Sequence, residues 1–328
     1  MSKPYIASIG TGAGQKRLIE AAQQAGFSVL GIDRSPDENL CDAGLAVSTY
    51  DADAAVAAAL AWQENNHKIQ HVIARTSGPA NITAAKLAAA LQVPGQGPDL
   101  AEAALSKYSL YQQCRAENVP TIETMQHPES EKPSLSLPVI IKPDQPLKGK
   151  ENVFLVRELA ELDTAIKQAC AASINRMYVA QPLVNGEEFG ISVAARDGKM
   201  LWHGYFAELV APDERGRFIG QGVASEAKVC AKVRRMCGAS VAQLLARWGT
   251  TGFVFFSFRL NELEEPLLFE VNPGLCGDQI VDKLFPAMWP GADFFSMEIG
   301  LLTRAECTFP KTEGLASVVR TDTSGETA

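Results

Sequence analysis

The chain has 328 residues, 46% of them hydrophobic, enough to bury one large core or two to three smaller ones. A formal net charge of −8 without any Lys/Arg-rich run argues against a nucleic-acid partner. No run approaches eighteen apolar residues and no basic start precedes an apolar core, which argues against membrane insertion and export. Seven cysteines at 41, 114, 170, 230, 237, 276 and 307 never form Cys-x-x-Cys, so they read as reduced thiols of a cytoplasmic protein rather than a disulfide frame or zinc site.

From the N-terminus, Ile6–Ile9 and Val29–Ile32 are apolar strand runs around a helical pattern over 15–26, followed by an alanine-rich helix over 51–63. A short strand at His71–Ala74 and a helix over 80–92 complete an alternation that predicts a parallel sheet covered by helices. Val93–Asp99, "VPGQGPD", marks a boundary. Helices are expected over 99–106 and 107–117, then a polar connection at His127–Pro138. Two strands, "VIIKP" and "VFLV", flank a loop before a helix over 158–172 and the strand "MYVAQPLV". Beyond lie a hairpin turning at Asp197-Gly198, a helix over 225–247, and two long strands joined by "NELEEP". The last nine residues, "RTDTSGETA", read as a frayed polar end.

The first strand leads into Gly10, Gly12 and Gly14, and Asp33 ends the second strand, as in a dinucleotide-binding turn. The third glycine of that fingerprint is Gln15, so an NAD site and a plain strand-to-helix turn with Asp33 capping a loop both fit this stretch. The four histidines, 67, 71, 127 and 203, form no acid/base arrangement that would serve a hydride-transfer enzyme.

Three later stretches carry more chemistry. In "LLFEVNP", Glu270 and Asn272 stand at i and i+2 of a strand and share a face. A carboxylate and an amide oxygen together suit magnesium held against phosphates. Lys142 closes an apolar strand beside a loop containing Gly149 and Lys150, where a lysine can meet phosphate oxygens; an edge-strand lysine is the other reading. In "MYVAQPLVNGEEFGISV" a strand enters a short hinge whose backbone can meet an adenine edge. Glu187 or Glu188 can accept ribose hydroxyls.

In this order the three stretches resemble the ATP-grasp superfamily over nearly the whole chain. The resemblance implies an α/β fold: a Rossmann-like pre-ATP-grasp domain at 1–97 and a two-lobed α+β ATP-grasp domain at 98–318. The lobes would divide about 107–180 and 181–318, with a polar tail at 319–328. "ALSKYSLYQQC" is similar to the family's opening helix and puts Lys107 at the first nucleotide lysine, with Lys142 at the second. Gly149, Lys150 and Asn152 match a flap over the phosphates; Gln181, Pro182 and Leu183 match the adenine hinge, Glu188 the ribose acid, and Glu270 with Asn272 the magnesium ligands.

Two positions depart from the pattern. Ser257 stands where the family has a second metal-binding acid or Gln, leaving a weaker ligand there and Asp278 as an alternative. Gly274 stands where many relatives have an arginine; Arg215 and Arg217, in "APDERGRFIGQG", could supply the cation, although that loop reads as readily as a solvated turn, and Arg75 either faces the cleft or lies on the surface.

The implied activity is ATP-dependent ligation of a small-molecule carboxylate to an amine, such as an amino acid, through an acyl phosphate, with ATP and Mg2+ as cofactors. The rival readings are a bicarbonate-using carboxylase or carbamoyl-phosphate-type ATP-grasp enzyme, an ATP-binding protein without catalysis, and an NAD-dependent oxidoreductase. Assembly as a homodimer is compatible with the sequence.

Overall fold

The computed structural model describes residues 3–65, 68–147, 152–212, 218–225, 229–275, 277 and 279–320. Three sheets carry the chain. The first is parallel, in the order β3-β2-β1-β4, built from β1 (Tyr5–Ile9), β2 (Ser28–Asp33), β3 (Ala43–Ala46) and β4 (Ile69–Ala74). Helices α1 (Lys16–Gln24), α2 (Ala52–Asn65) and α3 (Pro79–Leu91) cover it. Because both faces are covered, β1 and β2 are apolar runs rather than alternations, and Ile6, Ala7, Val29 and Leu30 are all fully buried. β3 is absent from the sequence reading because its "AGLA" pairs only at the edge and carries one large apolar residue.

The second sheet is antiparallel, in the order β5-β8-β6-β7: β5 (Met125–Pro128), β8 (Met177–Pro182), β6 (Val139–Pro143) and β7 (Phe154–Val156). Val139 and Ile141 join Leu162 and Ile166 of α6 (Leu159–Ala171) in one core. The period of two then turns Ile140 and Lys142 to the opposite face.

The third sheet has six strands in the order β13-β12-β9-β10-β11-β14. They are β9 (Glu188–Arg196), β10 (Lys199–Pro212), β11 (Phe218–Ala224), β12 (Gly252–Leu260), β13 (Pro266–Pro273) and β14 (Val318–Arg320). Asp197 (φ 52°) and Gly198 (φ 74°) form the expected two-residue hairpin between β9 and β10, the positive φ pair that a right-twisted ribbon needs. Phe189, Ile191, Val193, Val254, Phe256 and Phe258 pack with α7 (Ala231–Trp248) and with α4 (Pro98–Leu105) and α5 (Lys107–Ala116). Alternation therefore turns Glu188, Gly190, Ser192, Phe255, Ser257 and Arg259 to the other face.

Several expectations shift. α7 begins at Ala231 rather than 225, because Cys230 is extended (φ −64°, ψ 161°) and serves as its N-cap. β14 pairs Val318–Arg320 with β11, so the sheet runs past 318. After β13 come a π-helical turn (Gln279–Leu284), α8 (Phe285–Met288) and α9 (Phe294–Thr303). Their aromatics form a cluster with Trp202, Phe253 and α1 that joins the first sheet to the third. The 93–99 segment is held tightly: Thr251 N donates to Gly95 O at 2.9 Å, and a Cβ on Gly97 would come within 2.4 Å of Trp248 O. Of the six described cysteines, Cys230 is exposed and the rest are buried or half-buried, with none in a disulfide.

Candidate active site

One cleft collects residues from the second and third sheets and from α5: Lys107, Ile140, Lys142, Gln181, Glu188, Arg259, Glu270 and Asn272 line it, joined by Ser77 and Gly78 from the loop between β4 and α3. β13 supplies Glu270 and Asn272. Asn272 Nδ2 donates to Glu270 Oε1 at 3.1 Å, so the amide oxygen of Asn272 and the carboxylate share one patch of the wall. That is a hard-oxygen donor pair of the kind magnesium takes when phosphates complete its shell. Among the described residues no cluster of three His, Cys, Asp or Glu side chains exists, and a site completed by phosphates needs none. Ser257 pairs with Glu270 across β12 and β13 but is 1% exposed and not among the residues lining the cleft.

Lys107 is the first residue of α5, and Lys142 is the last residue but one of β6. Burial lowers the pKa of Lys107, opposed by Glu270 and Asp144. Lys142 is 6% exposed, and its pKa falls from 10.5 to about 7. Burial is the main cause and the Lys107 charge adds to it, with Glu270 opposing. Its Nζ lies 5.6 Å from the centroid of Phe269.

Asp144, two residues beyond Lys142, is fully buried and ties the two lysines together. Its carboxylate accepts from Ser106 Oγ (3.0 Å), Tyr108 N (2.9 Å), Gln126 Nε2 (2.8 Å) and Asn175 Nδ2 (2.7 Å). Its carbonyl accepts from Lys107 N (3.2 Å). Ser106 is the N-cap of α5, its Oγ accepting from Ser109 N, so one buried carboxylate fixes the start of α5 against the end of β6. The sequence reading missed Asp144. Its signal was the pattern Ser-Lys at a helix start with Asp shortly after a strand-ending lysine.

At the hinge, Gln181 is buried and lines the cleft with Pro182 and Val184, whereas the half-buried Leu183 is not on the lining. Glu188 is paired with Arg259, which also donates to Val184 O at 3.4 Å and lies 5.9 Å from the Phe269 centroid. Arg259 too escaped the sequence reading, although it stands at i+2 from Ser257 on the cleft face. Gly149, Lys150, Arg215, Arg217 and Asp278 lie outside the described residues.

The glycine turn is closed by its own chain. Asp33 Oδ2 accepts from Thr11 N at 3.0 Å, and Gln15 donates to Arg75 O at 2.6 Å while lying over Gly10, where a Cβ would meet it at 3.2 Å. The acid that would take a ribose hydroxyl caps the loop instead. Arg75 is neither a cleft cation nor a surface residue: it donates to Gly14 O at 2.9 Å, pairs with Asp282 at 2.5 Å and lies over Phe295. Arg17 shares Asp282 at 2.8 Å, so the pair of arginines clasps the first sheet to the π-helical turn.

A cleft of this kind, lined by two lysines, an apolar hinge and a Glu-x-Asn strand, defines a nucleotide-binding enzyme built from two lobes and a leading α/β unit. A family model described as an ATP-grasp domain matches residues 104–278, and the chain belongs to that family. No curated protein matches the chain.

Among solved structures it resembles an L-amino acid ligase from Bacillus licheniformis (19% identity, 92% of this chain and 75% of the other, TM-score 0.74). N5-carboxyaminoimidazole synthetase from Staphylococcus aureus complexed with ADP is similar (14%, 94% and 79%, 0.69). So is biotin carboxylase from Campylobacter jejuni (14%, 96% and 74%, 0.69). At these identities the likeness shows the fold.

The glycine at 274 has a local cause. Its φ is +84°, and a Cβ would lie 3.0 Å from the Ala74 carbonyl oxygen. Gly274→Ala should therefore cost about 1–3 kcal/mol, a non-glycine residue being strained there. Gly274→Arg, the residue that the family resemblance implies there, should cost at least as much and raise no activity. Urea unfolding of both variants checks this, and a stability equal to the parent's would contradict it.

Proposed function

We propose that the protein is an ATP-dependent ligase that joins a small-molecule carboxylate to an amine, such as that of an amino acid, releasing ADP and phosphate. The observation that carries the reading is the convergence of Lys107, Lys142, Glu270 and Asn272 on one cleft, with Gln181 and Glu188 at its hinge. Lys107 and Lys142 meet phosphate oxygens, and Glu188 accepts ribose hydroxyls once the nucleotide displaces Arg259 from it. Glu270 and Asn272 hold magnesium, which when bound neutralises charge on the transferred phosphoryl group. The substrate carboxylate attacks the γ-phosphate, and the amine then displaces phosphate from the acyl phosphate. The protein's contribution is positioning, charge and exclusion of water. In this reading Gly149 and Lys150 cover the phosphates, Ser257 supports the metal pair, and Arg215 or Arg217 meets a substrate carboxylate.

The test is ADP release in the presence of Mg-ATP and single or paired amino acids, with the product identified by mass. Release that requires amino acids, with an amide product, supports ligation. Release that requires bicarbonate alone assigns a carboxylase, and nucleotide binding with no release under any condition assigns a binding protein.

Lys142 adds a pH signature. At pH 8 the free protein holds it mostly neutral, because its pKa of about 7 lies below the solution pH. Phosphate oxygens favour the charged form and raise that pKa. Nucleotide binding at pH 8 should thus take up about one proton, and the uptake should vanish below pH 6, where Lys142 is already charged. Titration calorimetry in buffers of different ionisation enthalpy measures this. Lys142→Met should abolish the uptake, and a buffer-independent enthalpy for the parent at pH 8 would exclude it.

A further inference from the structure

Thr124, just ahead of β5, is 3% exposed and stands beside Gln181 of β8, since Met125 pairs with Ala180. Its hydroxyl lies 2.9 Å from Ile122 O and 2.7 Å from Gln181 Nε2. A carbonyl oxygen can only accept, so the single hydroxyl proton is committed to Ile122 O. The hydroxyl can then only accept from Gln181, which fixes the amide with Nε2 on Thr124. Turned over, the amide would set its oxygen against a hydroxyl oxygen with no proton left to give.

Gln181 Oε1 receives no hydrogen bond from the described residues, and it is not sealed from solvent. Gln181, 4% exposed as a residue, lines the cleft among Ile122, Ile140, Pro182 and Val184. An acceptor set in an apolar slot at the hinge is a reader of a flat, hydrogen-bonding ring.

We propose that Thr124 is a positioning residue for base selectivity: through Ile122 O it locks Gln181 with its acceptor toward the base, selecting a purine that carries a 6-amino donor over one that carries a 6-oxo acceptor. The inference rests on the nucleotide reading of the cleft. A 6-amino group donates to Oε1, whereas a 6-oxo group would face it oxygen to oxygen. A site built to satisfy one hydrogen-bonding pattern rejects the other strongly, because the mismatch leaves buried polar groups unpaired.

The experiment compares dissociation constants of ATP and ITP, which differ at the 6-position, for the parent and three variants. The parent should favour ATP by about a hundredfold or more. Thr124→Val keeps the shape and frees the amide, and should shrink that ratio at least about tenfold by improving ITP relative to ATP. Thr124→Ser, which keeps the hydroxyl, should retain the parental ratio, and Gln181→Met should collapse it even where Thr124→Val does not fold.

A parent that binds ATP and ITP equally, or a Thr124→Val protein that weakens both by the same factor, overturns the inference. In either case ATP still binds and the nucleotide reading stands. A parent that binds neither nucleotide overturns the nucleotide reading itself.

Discussion

Glu270→Gln should abolish nearly all turnover, lowering kcat by about a thousandfold or more, while leaving the fold intact. Gln keeps an oxygen for the bond from Asn272 Nδ2, so that contact within β13 is retained. What is lost is charge. A neutral amide is a poor substitute for a carboxylate in a magnesium shell, and a metal ion contributes several kcal/mol of transition-state stabilisation in phosphoryl chemistry, each 1.36 kcal/mol being about a factor of ten.

A second loss adds to the first. The Glu270 carboxylate raises the pKa of both Lys107 and Lys142 against the effect of burial. Without it burial lowers the pKa of both lysines further, and Lys142, at about 7 with Glu270 in place, loses charge at neutral pH, just where phosphate needs it. The stabilisation by Mg-ADP, read as a shift in thermal unfolding, should fall toward the shift given by ADP with chelator. Turnover within tenfold of the parent would show that the metal is held elsewhere, Asp278 being the first residue to test.

The sequence made the sheets and the cleft legible to different degrees. Long periodic segments such as α3, α6 and β12 stand where their patterns put them, because burial of a whole face leaves a repeated mark. Lys142 and Glu270 were legible for a related reason: a strand presents alternate residues to one side, so a charged residue ending an apolar run must face something polar. β3 and β14 were not, since three or four residues at a sheet edge carry too little periodicity. The segment after Asn272-Pro273 went unread because its π-helical turn has neither the period of a strand nor that of an α-helix.

Gly10 and Asp33 show the opposite error, a local motif whose meaning was set from elsewhere in the chain. The turn resembles a dinucleotide site until Gln15 and Arg75 are seen to fill it. Contacts between residues dozens of positions apart, such as Ser106 with Asp144 or Glu188 with Arg259, leave no trace in spacing at all.

Asp144→Ala should be the most destabilising single change near the cleft, by about 3–5 kcal/mol. Four donors converge on this carboxylate, two of them holding the first turn of α5, and all are left facing a cavity when it is removed. An unsatisfied buried donor costs about 1–3 kcal/mol. Gln126 and Asn175 can turn toward other partners and recover part of the loss, so the sum is smaller than four full penalties. Tyr108 N cannot turn without unwinding α5, which makes its amide the local reporter: its hydrogen exchange should accelerate more than that of the α6 amides, which have no bond to Asp144.

The functional effect follows from the same geometry. With α5 no longer pinned to the end of β6, Lys107 and Lys142 lose their fixed separation, and the KM for ATP should rise while the order of amine preferences stays the same. Asp144→Asn separates charge from shape: it keeps one acceptor oxygen but sets an NH2 group against donors, so its cost should fall between those of the parent and the alanine variant. An Asp144→Ala protein within 1 kcal/mol of the parent, with unaltered exchange at Tyr108, would mean that the lysines are positioned by the sheet and helix backbones alone.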